Sequence, residues 1–282
     1  MQWIVIGAAG MLGQDVVSRL TADGRSVVAL DRADLDITDP EACTSGLKGA
    51  DVVVNCAAWT AVDLAEEREA EAFAVNATGA ANLARSATDV GARLVHISTD
   101  YVFDGSARSP YAADAPQDPA TAYGRTKAAG EWAVQSFGAQ HLVLRTAYLY
   151  GAGGACFPRT IVKLAAERGG VDVVDDQYGQ PTWTVDVADL VVRAVDAKIP
   201  GGIHHATSQG GTSWYEFAAA AVAAAGMDPQ LVRPTTSASF VRPAPRPAYS
   251  VLGHESLRAA GVEPIGPWQE RWSLAAPSVL GL

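Results

Sequence analysis

The sequence predicts a doubly wound α/β fold: a parallel sheet covered by helices on both faces, followed by a smaller α/β unit. Three observations carry this prediction. Short apolar runs alternate with helical stretches through the first half, a glycine-spaced turn joins the first run to the first helix, and the alternation loosens after Gly151. Runs that are apolar on both faces belong to strands with helices on either side, which is the arrangement of a parallel sheet.

In chain order, "WIVIG" (3–7) is the first such run, and a helix-like stretch from Met11 to Leu20 follows it. "SVVALD" (26–31) and "DVVVNCAA" (51–58) are the second and third runs. An alanine-rich helical segment covers 66–89, and "RLVHISTD" (93–100) reads as the fourth strand. Tyr123 to Ser136 reads as a helix and "HLVLRTAYLYG" (141–151) as the fifth strand. Beyond it, "FPRTIVKLAAER" (157–168) and "SWYEFAAAAVAAAG" (213–226) read as helices, "VDVVDD" (171–176) and "GIHHAT" (202–207) as strands. The proline-punctuated "VRPAPRPAYSVLG" (241–253) reads as a rigid extended segment. No low-complexity linker and no internal repeat divides the chain.

Composition narrows the function classes. The 282 residues are 49% hydrophobic and 18% charged, the balance of an ordinary soluble globular protein with ample length for a core. The net charge of −10 argues against nucleic acid as a partner. It leaves a small phosphorylated ligand open, since local dipoles and a few basic residues suffice there. Cys43, Cys56 and Cys156 are an odd number without a CxxC, so no disulfide framework or zinc site is expected and a cytoplasmic location fits. His204 and His205, adjacent on a strand, face opposite ways, and no metal is expected. No apolar run reaches the roughly 20 residues that span a bilayer, and the amino terminus lacks the basic start of a signal peptide.

"VIGAAGMLGQDV" sets Gly7, Gly10 and Gly13 between the first strand and the first helix. One glycine lets the chain reverse sharply, one lets the backbone approach a pyrophosphate, and one lets the helix pack on the strand. The helix amino terminus offers free N–H groups and a favourable dipole. The spacing is GxxGxxG rather than GxGxxG, and its place in the first βα turn is what gives it weight. Asp31 ends the second strand, where a carboxylate would accept from a ribose hydroxyl. Arg32 beside it would meet a 2′-phosphate, so the two signals conflict and NADPH and NADH both remain open.

Two further stretches bear polar groups. "HISTDYVFDG" (96–105) leaves the fourth strand with Ser98, Thr99, Asp100 and Tyr101 at its carboxyl end, the edge where open α/β sheets bind ligands. "AYGRTKAAGEW" (122–132) places Tyr123 and Lys127 on one helix face. Alone, such a pair is more often ordinary helix surface, and a Ser-Thr-Asp run serves equally as a turn or cap.

Taken together, the glycine turn, "NCAAWT" (55–60), "AVNATGAANLA" (74–84), "STDYVFDG" and "YGRTK" resemble the extended short-chain dehydrogenase/reductases. "VVDDQYGQPTWTVDVADL" (173–190), "GIHHAT" with "SWYEF" (202–217) and "RPAPRPAYSVL" (242–252) narrow the resemblance to the dTDP-4-dehydrorhamnose reductase family, over essentially the whole chain. The resemblance implies a Rossmann-type fold in which residues 1–150, joined by part of 180–200, bind the dinucleotide. Residues 151–282 would then mainly hold a nucleotide sugar. It implies reduction of the C4 ketone of a dTDP-4-keto-6-deoxy sugar to give dTDP-L-rhamnose, using NADPH or NADH.

The same resemblance assigns roles. Tyr123 would be the proton donor, Lys127 its tuning cation and ribose contact, and Thr99 the group that orients substrate and tyrosine. A nearby ammonium favours tyrosinate and lowers a phenol that otherwise titrates near 10. The cofactor would lie on Gly7, Gly10, Met11, Leu12 and Gly13, beside Asp31, Arg32, Asp36 and Ile37. Cys56, Ala57, Ala58, Thr60, Asn76 and Ser98 would complete its wall with Tyr123 and Lys127. Thr99, Asp100, Tyr101, Val102, Phe103, Tyr148, Gln177 and Thr182 would face the sugar nucleotide. Two positions depart from the family. Tyr148 stands where a tryptophan is usual, and Cys156 where an asparagine commonly precedes Phe157. They leave room for another dTDP-4-keto sugar. A tightly cofactor-retaining epimerase or dehydratase is disfavoured by "DQYGQPTW", and a non-catalytic NADP-binding subunit by retention of Thr99, Tyr123 and Lys127. The assembly state is left open, a homodimer included.

Overall fold

The computed structural model describes all 282 residues, Met1–Leu282. Its first half alternates β1 (Gln2–Ile6), α1 (Met11–Ala22), β2 (Ser26–Leu30), α2 (Pro40–Gly46) and β3 (Val52–Asn55). Three short helices follow, α3 (Val62–Glu67), α4 (Glu69–Phe73) and, after a π turn at Ala74–Gly79, α5 (Ala80–Asp89). Then come β4 (Arg93–Thr99), α6 (Ala122–Phe137), β5 (Leu142–Thr146) and β6 (Leu149–Tyr150). The second half holds α7 (Phe157–Arg168), β7 (Val171–Val174), β8 (Tyr178–Gly179), β9 (Thr182–Trp183), α8 (Thr184–Asp196) and β10 (Gly202–His205). It ends with β11 (Ser208–Gln209), β12 (Thr212–Ser213), α9 (Trp214–Ala224), β13 (Val232–Thr235), α10 (Glu255–Ala259), β14 (Ile265–Pro267) and α11 (Trp268–Leu280).

Six of these strands form one sheet in the order β10-β5-β4-β3-β1-β2, parallel throughout. The chain winds outward from β1 to β2, then returns past β1 to β3 and on to the other side. The crevice at that reversal, outside the carboxyl ends of the strands, is where such sheets take ligands. Alternation along β1 divides the core. Trp3 and Val5 pack with Val16 and Leu20 of α1 and Leu190 of α8, while Ile4 and Ile6 pack with Leu83 and Ala84 of α5. A separate apolar cluster joins Tyr150, Phe217, Trp268 and Trp272 beneath α9 and α11.

The doubly wound parallel fold is as expected, and four details differ. The segment 66–89 is not one helix: it breaks at Arg68 (φ −127°, ψ 44°) and again at the π turn. That turn carries Asn76, whose Oδ1 accepts from the Trp59 backbone N–H at 2.8 Å and whose Nδ2 donates to Trp59 O and Thr126 Oγ1. Gly130 of α6 sits so close that a Cβ there would lie 2.2 Å from Asn76 O. Tertiary hydrogen bonds thus override local helical periodicity. The run 141–151 splits because Tyr148 adopts φ +45°, and β6 leaves the main sheet to pair with β9. "GIHHAT" forms the sixth strand of the main sheet, beside β5, rather than a strand apart from it. Helices α8 and α11 have no counterpart among the elements the sequence predicts. α8 packs on α1 through Val187, Leu190 and Val191, which gives it a helix-spaced apolar face. The segment 241–253 is extended as expected; its strand-type pairing is confined to the isolated bridges Tyr111–Leu252 and Tyr178–Tyr249, and its Gly253 carbonyl meets His205 Nδ1 of β10 at 2.7 Å.

Candidate active site

The glycine turn is built for close approach. Gly7 follows β1 at φ +74°, and a Cβ there would lie 2.7 Å from Ala57 N. A Cβ on Gly13 would lie 2.2 Å from Gly7 O, so α1 can start directly above the strand end only with glycine at that position. The N-cap of α1 is Gly10, without a side-chain hydrogen bond and without an acid in the first turn. The N–H groups at that helix end are therefore left for an anion. A cavity of about 510 Å³ runs from this turn along Asp31, Arg32, Asp36 and Ile37 on one side and Cys56, Ala57 and Ala58 on the other. Asp31 Oδ1 accepts from Ala33 N–H at 2.7 Å. Asp36 is held below the usual carboxylate range, chiefly by the Thr38 backbone N–H and hydroxyl. The Arg32 side chain is 89% exposed and reaches only to 4.0 Å from Asp36. A pyrophosphate on the glycines with a ribose toward Asp31 fits these groups.

A second cavity, about 580 Å³, continues from the first through Gly10, Cys56 and Ala58. Met11, Leu12, Gly13 and Thr60 line its near side, and Ser98, Thr99, Asp100, Tyr101, Tyr123, Lys127 and Tyr148 its far side. Two elements bring the last group together. β4 and β5 run in register with Thr99 opposite Thr146, so the carboxyl end of β4 opens on the crevice. α6 starts at Ala122, one residue before Tyr123, because the hydroxyl of its N-cap Thr121 accepts from Gly124 N–H at 2.9 Å. Gly124 lets that first turn press on the Tyr101 carbonyl, which a Cβ would meet at 2.2 Å. The Tyr123 ring consequently stands edge-on to Tyr101, their centroids 5.6 Å apart.

Thr99 Oγ1 donates to Asp100 Oδ1 at 2.9 Å and accepts from Tyr101 N–H at 3.2 Å. Asp100 and Thr146 belong to the same cavity wall, and their Oδ2 and Oγ1 atoms are buried without a protein hydrogen bond. Burial pushes the Asp100 carboxyl up to about 6, with Ser250 and Thr99 pulling the other way. Burial also pushes the Tyr123 phenol up to about 12, against a lowering interaction with Thr99 and with Asp100 adding to the rise. Lys127 is pushed down to about 8 by burial, opposed by the charges of Glu131 and Cys56. Its Nζ donates to Ile97 O at 2.6 Å. The expectation that the lysine lowers the tyrosine therefore does not describe the protein alone: desolvation sets Tyr123, and the lysine's hydrogen bond goes to the strand.

Tyr148 is the strained residue of the site. Its left-handed backbone is unusual for a bulky side chain, and it persists because the ring is held by Trp214 and Gly179. Trp214 stacks on one face at 3.7 Å between centroids, inclined by 13°. A Cβ at Gly179 would lie 2.4 Å from the ring. Gly179→Ala should therefore displace the Tyr148 ring into the cavity. The expected result is a KM for a substrate bound in this cavity raised by about tenfold or more, the scale of a 1–3 kcal/mol overpacking cost, with affinity at the glycine-turn cavity unchanged. Steady-state kinetics and a fluorescence titration check the two halves. Cys156 is buried at the N-cap of α7 without a capping hydrogen bond, among Tyr150 and Phe217.

Several expected residues lie elsewhere. Asn76 lines neither cavity; its amide is consumed by Trp59 and Thr126. Ser98 reaches the wall, but its hydroxyl donates to Glu131. Val102 and Phe103 turn away into a cluster with Ala128 and Leu252, because consecutive residues of the 3₁₀ turn at 100–102 point in different directions. Gln177 donates to Ser237 Oγ at 2.8 Å, and Thr182 is fully buried, donating to Gln180 O at 2.9 Å. Residues that sequence reasoning missed are Trp214, Thr146 and the support beneath the site, Glu131, Arg145 and His96. Two signals were present. Glu131 follows Lys127 by one helical turn, and Arg145 is the one charge in the apolar run "LVLRT".

Compared with known proteins, residues 1–278 match the family model described as the RmlD substrate binding domain. The chain is 47% identical to a dTDP-4-dehydrorhamnose reductase of Streptomyces griseus, over 99% of this chain and 94% of the relative. It is 48% identical to a probable dTDP-4,6-dihydroxy-2-methyloxan-3-one 4-ketoreductase of Streptomyces antibioticus, over 99% and 96%. Among solved structures, a dTDP-4-dehydrorhamnose reductase of Bacillus anthracis in complex with NADP superposes with a TM-score of 0.93 at 33% identity, covering 98% of this chain and 99% of that one.

Proposed function

The chain belongs to the RmlD substrate binding domain family, and from that premise we propose that it reduces the C4 ketone of dTDP-4-dehydro-L-rhamnose to dTDP-L-rhamnose with NADPH or NADH. One observation carries the reading: Thr99, Tyr123 and Lys127 share a cavity that is continuous with the groove over the glycine turn. The dinucleotide, when bound, supplies the hydride for the C4 carbon. Gly7, Gly10 and Gly13 with the amino end of α1 hold its pyrophosphate, and Asp31 and Arg32 hold the adenosine ribose. Residues 1–150 together with part of 180–200 form this half of the site, and residues 151–282 mainly form the sugar-nucleotide half.

Tyr123 Oη delivers the proton to the C4 oxygen. Asp100 holds Thr99 in place through the bond to Oδ1, and the Thr99 Oγ1 so fixed orients the phenol. Lys127 supports the tyrosinate left behind. Apolar Met11, Leu12, Ala147 and Leu149 in the cavity wall exclude water from the reacting centre. Tyr148 and Trp214 offer the sugar an aromatic wall.

Incubation with dTDP-4-dehydrorhamnose while following the absorbance of reduced nicotinamide tests the proposal. Stoichiometric oxidation with dTDP-rhamnose as product supports it. No consumption by folded protein that binds the dinucleotide would sink it and favour a binding subunit; consumption only with a different dTDP-4-keto sugar would replace the substrate. Cofactor choice follows from Arg32. Arg32→Ala is expected to lower kcat/KM for NADPH by about tenfold, the scale of one charge-assisted hydrogen bond, and to leave NADH nearly unchanged. Parallel kinetics with the two cofactors read this directly, and an equal loss with both would refute the assignment.

A further inference from the structure

Beneath the cavity a buried polar pair that lines neither wall, Asn55 and His96, leads to Lys127 on the wall itself. Asn55 ends β3 and is paired in register with His96 of β4. Both side chains are 1% exposed. We propose that Asn55 fixes His96 in the tautomer protonated on Nε2, and that this N–H faces Lys127 as a donor and so adds to burial in favouring the lysine's neutral amine. The proposal rests on the reading of Lys127 as the cation of the reductase site.

The tautomer follows from hydrogen-bond bookkeeping. Asn55 Oδ1 accepts from Ala57 N–H at 3.0 Å, so the amide cannot be flipped without setting its NH₂ against that N–H. Asn55 Nδ2 then meets His96 Nδ1 at 3.0 Å. An amide nitrogen only donates, so Nδ1 must accept and carries no proton. Burial and the Lys127 charge hold His96 neutral, which leaves its one proton on Nε2.

His96 Nε2 lies 3.4 Å from Lys127 Nζ. Against an ammonium this is donor facing donor. Against a neutral amine, the N–H finds a lone pair. The other contact of Nζ, to Ile97 O, is satisfied by either form. Around the lysine, Glu131 one turn along α6 favours the ammonium, although Arg145 of β5 binds its carboxylate. Cys56 beyond β3 favours it too, but its thiol is itself pushed up to about 12 by burial. Tyr123 stands one turn back on α6, with Thr99 and Asp100 at the end of β4. His96 is the group whose hydrogen-bond direction favours the amine. It touches neither cavity and is therefore a positioning residue, acting through Lys127. The consequence is an alkaline limit: the ammonium that supports the tyrosinate is present at lower pH and is lost as pH rises through the lysine's titration.

The chain has four lysines, Lys48, Lys127, Lys163 and Lys198, so the titration can be observed directly. Full-length protein carrying ¹³C at the lysine Cε and ¹⁵N in histidine would be followed by NMR against pH. His96 should show the Nε2-protonated pattern. In His96→Leu, which removes the opposing donor, the Lys127 titration should move upward by about one unit, and the alkaline limb of kcat/KM should move with it. Asn55→Asp, whose carboxylate accepts from Nδ1–H and reverses the tautomer, should also raise the titration, and carries the test if the leucine variant does not fold. A wild-type His96 protonated on Nδ1, or a Lys127 titration that stays in place or falls in a folded variant, overturns the proposal. Because the NMR readout needs neither sugar nor turnover, its failure and the failure of the reductase reading are distinguishable.

Discussion

Replacing Tyr123 with phenylalanine is expected to lower turnover by about two to four orders of magnitude, with dinucleotide affinity changed by no more than a few-fold. No neighbour is placed to take over the proton. The Thr99 hydroxyl spends its hydrogen on Asp100 Oδ1. Lys127 Nζ donates to Ile97 O. Asp100, raised only to about 6, is mostly ionised at neutral pH. Tyr101 is the nearest alternative phenol, edge-on to Tyr123, and its hydroxyl is pushed well above the usual phenol range by burial and the Asp100 charge. Tyr101→Phe is thus the internal control and should cost far less. Burial holds the Tyr123 phenol up at about 12 and Lys127 down at about 8, so activity is expected to fall on the alkaline side with the lysine's loss of charge. Steady-state oxidation of reduced nicotinamide, with a fluorescence titration of the dinucleotide, separates proton delivery from binding. A Tyr123→Phe protein with full activity would refute the assigned role.

What the sequence made legible was local. β1 to β4 were apolar runs bounded by polar or glycine residues, and each formed a strand of the main sheet. The glycine turn was readable because three glycines had a shared physical reason to be there. What stayed hidden depends on contacts between distant residues. Nothing within "GIHHAT" says that its sheet partner is "LVLRT", which precedes it by about sixty residues. Nothing within "AVNATG" says that Asn76 will be drawn to the Trp59 backbone and turn the helix into a π turn. Tyr148 could be recognised as a departure, but its left-handed backbone and its contacts with Trp214 and Gly179 appear only when three segments meet.

The site divides in the same way. Thr99, Tyr123 and Lys127 meet because a strand end and a helix start converge on one crevice, and both ends had sequence signals. Val102, Phe103, Gln177 and Thr182 were placed by family likeness alone, and in this fold their side chains serve packing or hydrogen bonds outside the cavity. Support residues such as Glu131 and Arg145 look, in sequence, like ordinary charges. Their burial, at 0% and 1% exposed, is what shows their role.

That pair yields the second large effect, on stability. Arg145 Nη2 donates to Glu131 Oε2 at 2.7 Å and Nε to Oε1 at 2.9 Å, while Nη1 donates to Ala113 O at 3.1 Å. Ser98 and Gln117 donate to the remaining carboxylate positions, and the guanidinium lies 4.8 Å above the Phe103 ring. The pair therefore ties α6 to β4, β5 and the loop before α6, the elements that carry Thr99, Tyr123 and Lys127. Glu131→Leu leaves an arginine that cannot lose its charge, and is expected to cost about 3–5 kcal/mol, seen as a fall in Tm of roughly 6–15 °C. Arg145→Met should cost less, because the stranded carboxylate can take up a proton and keeps its bonds from Ser98 and Gln117. The double variant should lose less than the sum of the singles, since neither charge is then left alone. Thermal and urea unfolding of the three variants measure this ordering. Additive losses would mean that the two charges are held by their other partners rather than by each other, and that the platform under Lys127 does not depend on the ion pair.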